Sequence, residues 1–162
     1  MAGISGGNKK KGFTLVELMV AVAILGIMVA VAVPNLIRYR DNYSFRNDAS
    51  QMEYLVKYGK VYAMEHSVNV GICVEPAARR MTLRNLGYDR DADPCDDGII
   101  IRTIVMEDHV TLSSATEKMK FDARGVMIFP GFGSNVCVSY GDRSFKIILN
   151  PVGMRVEEGD SC

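Results

Sequence analysis

Residues 9–34, KKKGFTLVELMVAVAILGIMVAVAVP, decide how the rest of the chain is read. Three lysines and a glycine precede an apolar run over residues 13–33, 21 residues in which Glu17 is the only charge. As a helix rising ~1.5 Å per residue the run is about 31 Å long, close to the ~30 Å hydrocarbon core of a bilayer. It is long enough to cross a membrane once. Because the lysines stand just before the run and none falls within it, the amino end is expected in the cytoplasm and the chain beyond Pro34 outside it. An ordinary anchor does not explain Glu17. An ionisable group in a membrane helix costs on the order of 2.5 kcal/mol or more unless it lies shallow or is paired. It calls for a partner.

Outward from this stretch, residues 1–8 are small, polar and glycine-rich and stand apart from the fold. On the other side, Pro34 removes one backbone donor and bends a helix without stopping it. Beyond it Phe45, Ala49, Met52, Val56, Gly59 and Ala63 recur at spacings of four, three, four, three and four, the stripe of an amphipathic helix. These positions predict one long helix over residues 14–65 whose second half lies on an apolar body.

After His66 the period changes. Short β-prone runs stand at 68–74, 81–86, 99–106, 110–113, 119–122, 127–129, 136–140, 144–149 and 154–156. Turn signals separate them: Glu75-Pro76, Asp93-Pro94, Arg124-Gly125, Pro130-Gly131, Gly141-Asp142 and Asn150-Pro151. Such spacing predicts antiparallel hairpins rather than crossovers through helices. The expected fold class is therefore α+β, a long amino-terminal helix with a membrane-spanning first half, packed on a mostly β body of antiparallel strands. The helix is expected to cover one sheet.

Within the apolar stretch, Gly12-Phe13-Thr14-Leu15-Val16-Glu17-Leu18 resembles the type IV prepilin signal. The resemblance implies a basic leader that a prepilin peptidase removes between Gly12 and Phe13, N-methylation of Phe13, and an assembly role for Glu17. Its physical logic stands on its own terms. Cleavage creates an amine at Phe13, and in a stack of such helices the Glu17 carboxylate of one subunit neutralises a neighbour's amine, which offsets the burial cost of both. The carboxyl-terminal runs FDARGVMIFPGF, VCVSY and FKIILNPVGMRV are similar to the GspH/FimT group of minor pilins and pseudopilins. That likeness implies a pilin-like body in which the prepilin helix packs on a small antiparallel β-sandwich.

The expected organisation is a leader over 1–12, a transmembrane and assembly helix over 13–34, the amphipathic second half of the helix over 35–66, and a β-rich periplasmic domain over 67–162. With 162 residues in all, the part left for the soluble body supports one modest core. Removing three leader lysines from 19 basic residues leaves 16 against 19 acidic ones, a formal net of −3. That balance carries no electrostatic footprint for nucleic acid.

Cys73, Cys95, Cys137 and Cys162 would all lie outside the cytoplasm, and none falls in a metal-ligand spacing. Disulfides are expected. Of the three connectivities, Cys137 with Cys162 is favoured because tying down a terminal tail is a common use, which leaves Cys73 with Cys95; Cys73 and Cys137 as buried free thiols remain the alternative. In residues 88–98, YDRDADPCDDG, the side chains of Asp89, Asp91, Asp93 and Asp97 match positions one, three, five and nine of a calcium-binding EF-hand loop. Pro94 stands where that loop needs glycine and Ile100 where it needs glutamate, so a solvated acidic loop is the plainer reading.

His66 and His109 are the only histidines and are expected as capping or surface residues. No nucleophile elbow surrounds Ser113 and Ser114, and Gly131-Phe132-Gly133 lacks a dinucleotide-site context. Neither enzymatic activity nor a cofactor is expected. The resemblance implies a structural subunit of a type II secretion pseudopilus or a type IV pilus at the bacterial inner membrane. Its expected partners are other pilins or pseudopilins, the prepilin peptidase and the inner-membrane assembly platform. The alternative is a FimT-like DNA receptor, in which a basic GRxR pattern is expected near the tail. Here Gly153-Met154-Arg155-Val156 keeps one arginine and is followed by Glu157, Glu158 and Asp160, which disfavours phosphate binding.

Overall fold

The computed structural model describes residues 13–129, 134–151, 153–159 and 162. The expected leader with Gly12, the turn at Pro130-Gly131 and the glycine pair around Phe132 lie outside the described residues.

Helix α1 runs over Leu15–His66, 52 residues. Thr14 caps its start: the Glu17 amide donates to Thr14 Oγ1 at 3.2 Å, which satisfies a donor that the first turn leaves without a helical partner. Glu17 then sits in the first turn, where the helix dipole favours a negative charge. The helix continues through Pro34, and beside it Asn35 Nδ2 donates to Val31 O at 3.2 Å. The chain divides into two compact units, residues 1–40 and residues 41–162. In the first unit every described side chain from Phe13 to Arg40 is exposed.

In the second unit the rest of α1 buries Phe45, Ala49, Met52, Val56, Gly59 and Ala63. Asp48 and Leu55 are buried beside that stripe and widen it. Gly59 permits a close approach, since a Cβ there would lie 2.7 Å from Leu83 Cδ1. Among the described residues nine strands follow: β1 (Asn69–Glu75), β2 (Arg80–Gly87), β3 (Ile99–Val105), β4 (Thr111–Ser114), β5 (Lys118–Phe121), β6 (Met127–Phe129), β7 (Ser134–Tyr140), β8 (Arg143–Leu149) and β9 (Met154–Gly159). Each falls on one of the β-prone runs. They form a five-stranded sheet, β3-β2-β1-β5-β6, and a four-stranded sheet, β4-β7-β8-β9. Every pairing is antiparallel.

One difference from the sequence reading concerns the helix. A single core joins Met52, Leu55 and Val56 of α1 to Ile72 and Leu83 of the first sheet and to Ile147 and Leu149 of the second. The helix therefore serves both sheets and not one. Period-four spacing reports that a face is apolar, but not how wide a surface meets it, and Leu55 lies off the strict stripe. Full burial of side chains such as Met52 and Leu55 stabilises by about 1.5–3 kcal/mol each, so this face is a large share of the unit's stability.

The turn into β3 depends on Gly98, whose φ is 78° and whose missing Cβ would lie 2.2 Å from the Asn85 carbonyl oxygen. Gly141 has a similar φ of 57° with open space around it. Gly98→Ala is expected to destabilise the body by about 2–4 kcal/mol and Gly141→Ala by only about 1–2 kcal/mol, the left-handed strain alone. Urea denaturation of the two variants side by side measures the difference.

Candidate functional site

Two regions carry the residues singled out by sequence. The first is the start of α1. Phe13 is 81% exposed, and apolar side chains from Leu15 to Ile37 are exposed on all sides of the helix. Only this helix, among the described residues, is long and apolar enough to cross a membrane, and none of its apolar span is buried. A helix apolar all round requires an apolar surrounding.

The second region is a polar seam in the body, where residues 41–48 of α1 meet β7, β8 and the loop after β3. Tyr140 donates its hydroxyl to Asp41 Oδ2 at 3.1 Å, and Arg143 Nη1 donates to Asn42 Oδ1 at 3.0 Å. Ser44 Oγ and His109 Nε2 lie 2.6 Å apart, while the Glu107 amide donates to Asp48 Oδ2 at 2.9 Å. The His109 ring meets the Tyr140 ring edge-on at 5.1 Å, and Phe45 lies 6.4 Å from Tyr140. His109, expected as a capping or surface residue, is half-buried and bonded across the seam to Ser44. The signal was present in the chain: Asp41, Ser44 and Asp48, spaced three and four apart, flank the apolar stripe. Their partners are more than fifty residues away, and no local pattern names them.

Burial pushes the Asp48 carboxyl above its ordinary value, and nearby Glu107 adds to that rise; the Glu107 amide and His109 act against it. His66, in contrast, is exposed at the helix end, with Nδ1 3.2 Å from Tyr62 O and its ring stacked on Tyr62 at 3.9 Å.

The acidic loop is organised by its own aspartates. The Asp91 amide donates to Asp89 Oδ1 at 2.8 Å, the Cys95 amide to Asp93 Oδ1 at 2.8 Å, and the Asp93 amide to Asp97 Oδ2 at 2.7 Å. Asp93 also pairs with Lys118 of β5, and this contact, first, with the Cys95 amide holds its carboxyl below the ordinary value. Three of the four carboxylates are turned to local backbone donors. Among the described residues no three His, Cys, Asp or Glu side chains come together to hold a metal ion.

Cys73 of β1 is bonded to Cys95 in this loop, with Cα atoms 4.8 Å apart, and Cys137 of β7 to Cys162, with Cα atoms 5.8 Å apart. Lys146 Nζ donates to the Cys162 carbonyl at 3.2 Å, a second tie on the tail. Closing loops of 22 and 25 residues constrains the unfolded chain. In the chain-entropy account each closure stabilises by about 3 kcal/mol. In the tail Arg155 Nε faces Glu157 Oε1 at 3.1 Å, so its one arginine already meets a carboxylate.

A family model described as the prokaryotic N-terminal methylation motif matches residues 7–33. The chain thus carries a type IV prepilin-like amino-terminal motif on a pilin-like α+β fold. Its first part is 42% identical over 66 residues to the type IV major pilin protein PilE1 of Neisseria gonorrhoeae, covering 41% of this chain and 29% of that protein. The chain spans about a third of the length of the curated pilins it matches. The fold is similar to that of the type IV minor pilin FimU of Pseudomonas aeruginosa, with a TM-score of 0.58 and 11% identity over 74% of this chain and 92% of that one. It is also similar to that of the minor pseudopilin EpsH from the type 2 secretion system of Vibrio cholerae, with a TM-score of 0.54 and 11% identity over 69% and 94% of the two chains.

The polar seam has a pH signature. A carboxyl whose pKa is raised on folding contributes its full stability below the unfolded value and loses it as pH rises through the folded value. Asp48→Asn, which keeps an acceptor for the Glu107 amide without the charge, is expected to match the parent near pH 3 and to gain on it steadily toward pH 7. Asp48→Ala leaves that amide unsatisfied and is expected to cost about 1–3 kcal/mol near pH 3, a cost that shrinks as pH rises because this variant too lacks the titrating carboxyl, while staying below Asp48→Asn at every pH. Thermal unfolding of the three proteins across pH checks both statements.

Proposed function

We propose that the chain is a minor pilin-type structural subunit, incorporated by its amino-terminal helix into a type II secretion pseudopilus or a type IV pilus. A single conjunction carries the reading: a prepilin-type motif and an apolar helix exposed on every side are joined to a body with the fold of a minor pilin and a minor pseudopilin. In this reading prepilin peptidase cuts between Gly12 and Phe13 and Phe13 is methylated. The amino end faces the cytoplasm, the body lies in the periplasm, and the assembly platform of the inner membrane draws the helix into the filament. There the Glu17 carboxylate meets a neighbour's Phe13 amine, and the apolar side chains exchange lipid for neighbouring helices. The DNA-receptor reading gains no support from the tail, where Arg155 faces Glu157.

We also propose that the body is not an enzyme. Ser44 and His109 have the spacing of a nucleophile and base. Yet the Asp41 and Asp48 carboxylates that could orient the histidine are bonded to the Tyr140 hydroxyl and the Glu107 amide. The pair reads as a link between helix and body.

Gly12→Val is expected to abolish processing, seen as a precursor-sized band on immunoblots. Glu17→Ala is expected to be processed normally but to lower the amount in sheared or pelleted filaments at least about tenfold, the equivalent of ~1.4 kcal/mol per contact. Normal maturation of the first variant or normal assembly of the second would overturn the assignment. A fluorophosphonate probe is expected to leave Ser44 unlabelled, and labelling that Ser44→Ala removes would refute the non-enzymatic reading.

A further inference from the structure

The five-stranded sheet ends in β3, whose edge is interrupted by a register shift at Ile101 and carries one inward-facing charge, Arg102, leaving residues 102–105 as its regular open stretch. Its sequence, IIIRTIV, holds no proline, lysine or acid, and Ile99, Ile100 and Val105 are 76%, 55% and 63% exposed. An open edge stretch with exposed branched side chains is a template for a further strand.

Arg102 selects that strand. It stands opposite Leu83, and Ile104 opposite Met81, so both point to the face that α1 covers; the Arg102 guanidinium lies 5.1 Å over the Tyr54 ring. Among the described residues no carboxylate pairs with it. Two β3 edges paired with each other would supply none, because β3 contains no acid. The register centred on Arg102 would set one guanidinium against the other, a destabilising pair. Of the edge strands β3, β4, β6 and β9, only β9 carries carboxylates. It reads MRVEEG at the edge of the other sheet, and its pairing with β8 puts Val156 opposite Ile147 and Glu158 opposite Phe145, on the core face.

We propose that β3 of one copy adds, antiparallel, to β9 of a second copy of this chain, with Arg102 opposite Glu158. This register sets Ile104 opposite Val156 on the same face, and on the other face Thr103 opposite Glu157 and Val105 opposite Arg155. Charges oppose charges of the other sign, or uncharged groups, at each of these positions. Because the two edges differ, the contact is head-to-tail and repeats from copy to copy. It joins body to body and does not depend on the pairing of Glu17 with a neighbour's amine.

The test uses the full chain in detergent micelles at about 1–100 μM, the range of a weak interface. Because the native cysteines are in disulfides, Thr103→Cys with Glu157→Cys supplies the free thiols, and copper phenanthroline is expected to give a ladder of dimers, trimers and longer species. The two single variants mixed should give dimers only, and neither alone should cross-link. Added to the cysteine pair, Arg102→Glu and Glu158→Arg should each cut ladder yield at least about tenfold and together restore it, as charge complementarity requires. Val105→Lys, an exposed edge charge, should also remove the ladder, and circular dichroism checks that each variant is folded. In a Glu17→Ala background the ladder should persist. Overturning results are the absence of a ladder from folded protein, a dimer from Thr103→Cys alone, a ladder indifferent to the charge changes, or one that needs Glu17.

Discussion

The body depends on one constraint: the second half of a long helix must bury an apolar face wide enough to serve two sheets at once. Met52, Leu55 and Val56 meet residues of both sheets in one core. Neither sheet has a sufficient core without that face, and the helix has no reason to hold there without both sheets. Gly59 lets the backbone come close over β1 and β2, and the two disulfides fasten the acidic loop and the tail around the result.

The polar seam beside this core fixes the helix by direction as well as by burial. Apolar packing tolerates small slides along a helix, whereas hydrogen bonds at Asp41, Asn42, Ser44 and Asp48 do not. One of these groups is kept at a cost, since burial disfavours the charged form of Asp48. Over residues 13–33 of the same helical stretch the side chains are exposed and, Thr14 and Glu17 apart, apolar, a surface that an apolar surrounding would satisfy. One continuous element thus has two physical environments, divided by composition alone.

Most of the architecture was legible in the chain because its signals are local. The apolar run, the stripe from Phe45 to Ala63 and the alternation of β-prone runs with turn pairs each concern neighbours in sequence, and helix and strands form where those patterns stand. Thr14 as the cap is legible too, since its place three residues before Glu17 is the spacing of a capping box. The acidic loop shows the limit of such reading. Its aspartate spacing resembles a calcium loop, but the same short carboxylates also cap backbone amides two to four residues away, and in the folded loop three of them do.

The sequence by itself determined the α+β class, the length of the helix, the apolar run with its lone glutamate and the order of nine strands, because propensity and period act within a few residues. Only the tertiary structure decided the two sheet orders, the helix serving both sheets, the Ser44–His109 link and the positions of β3 and β9 as edge strands of different sheets. Those depend on contacts between residues far apart in the chain, such as Ser44 with His109 or Asp41 with Tyr140, and on shape as well as polarity. Many partners of suitable chemistry exist for each side chain, and only the closed packing of the whole body selects one.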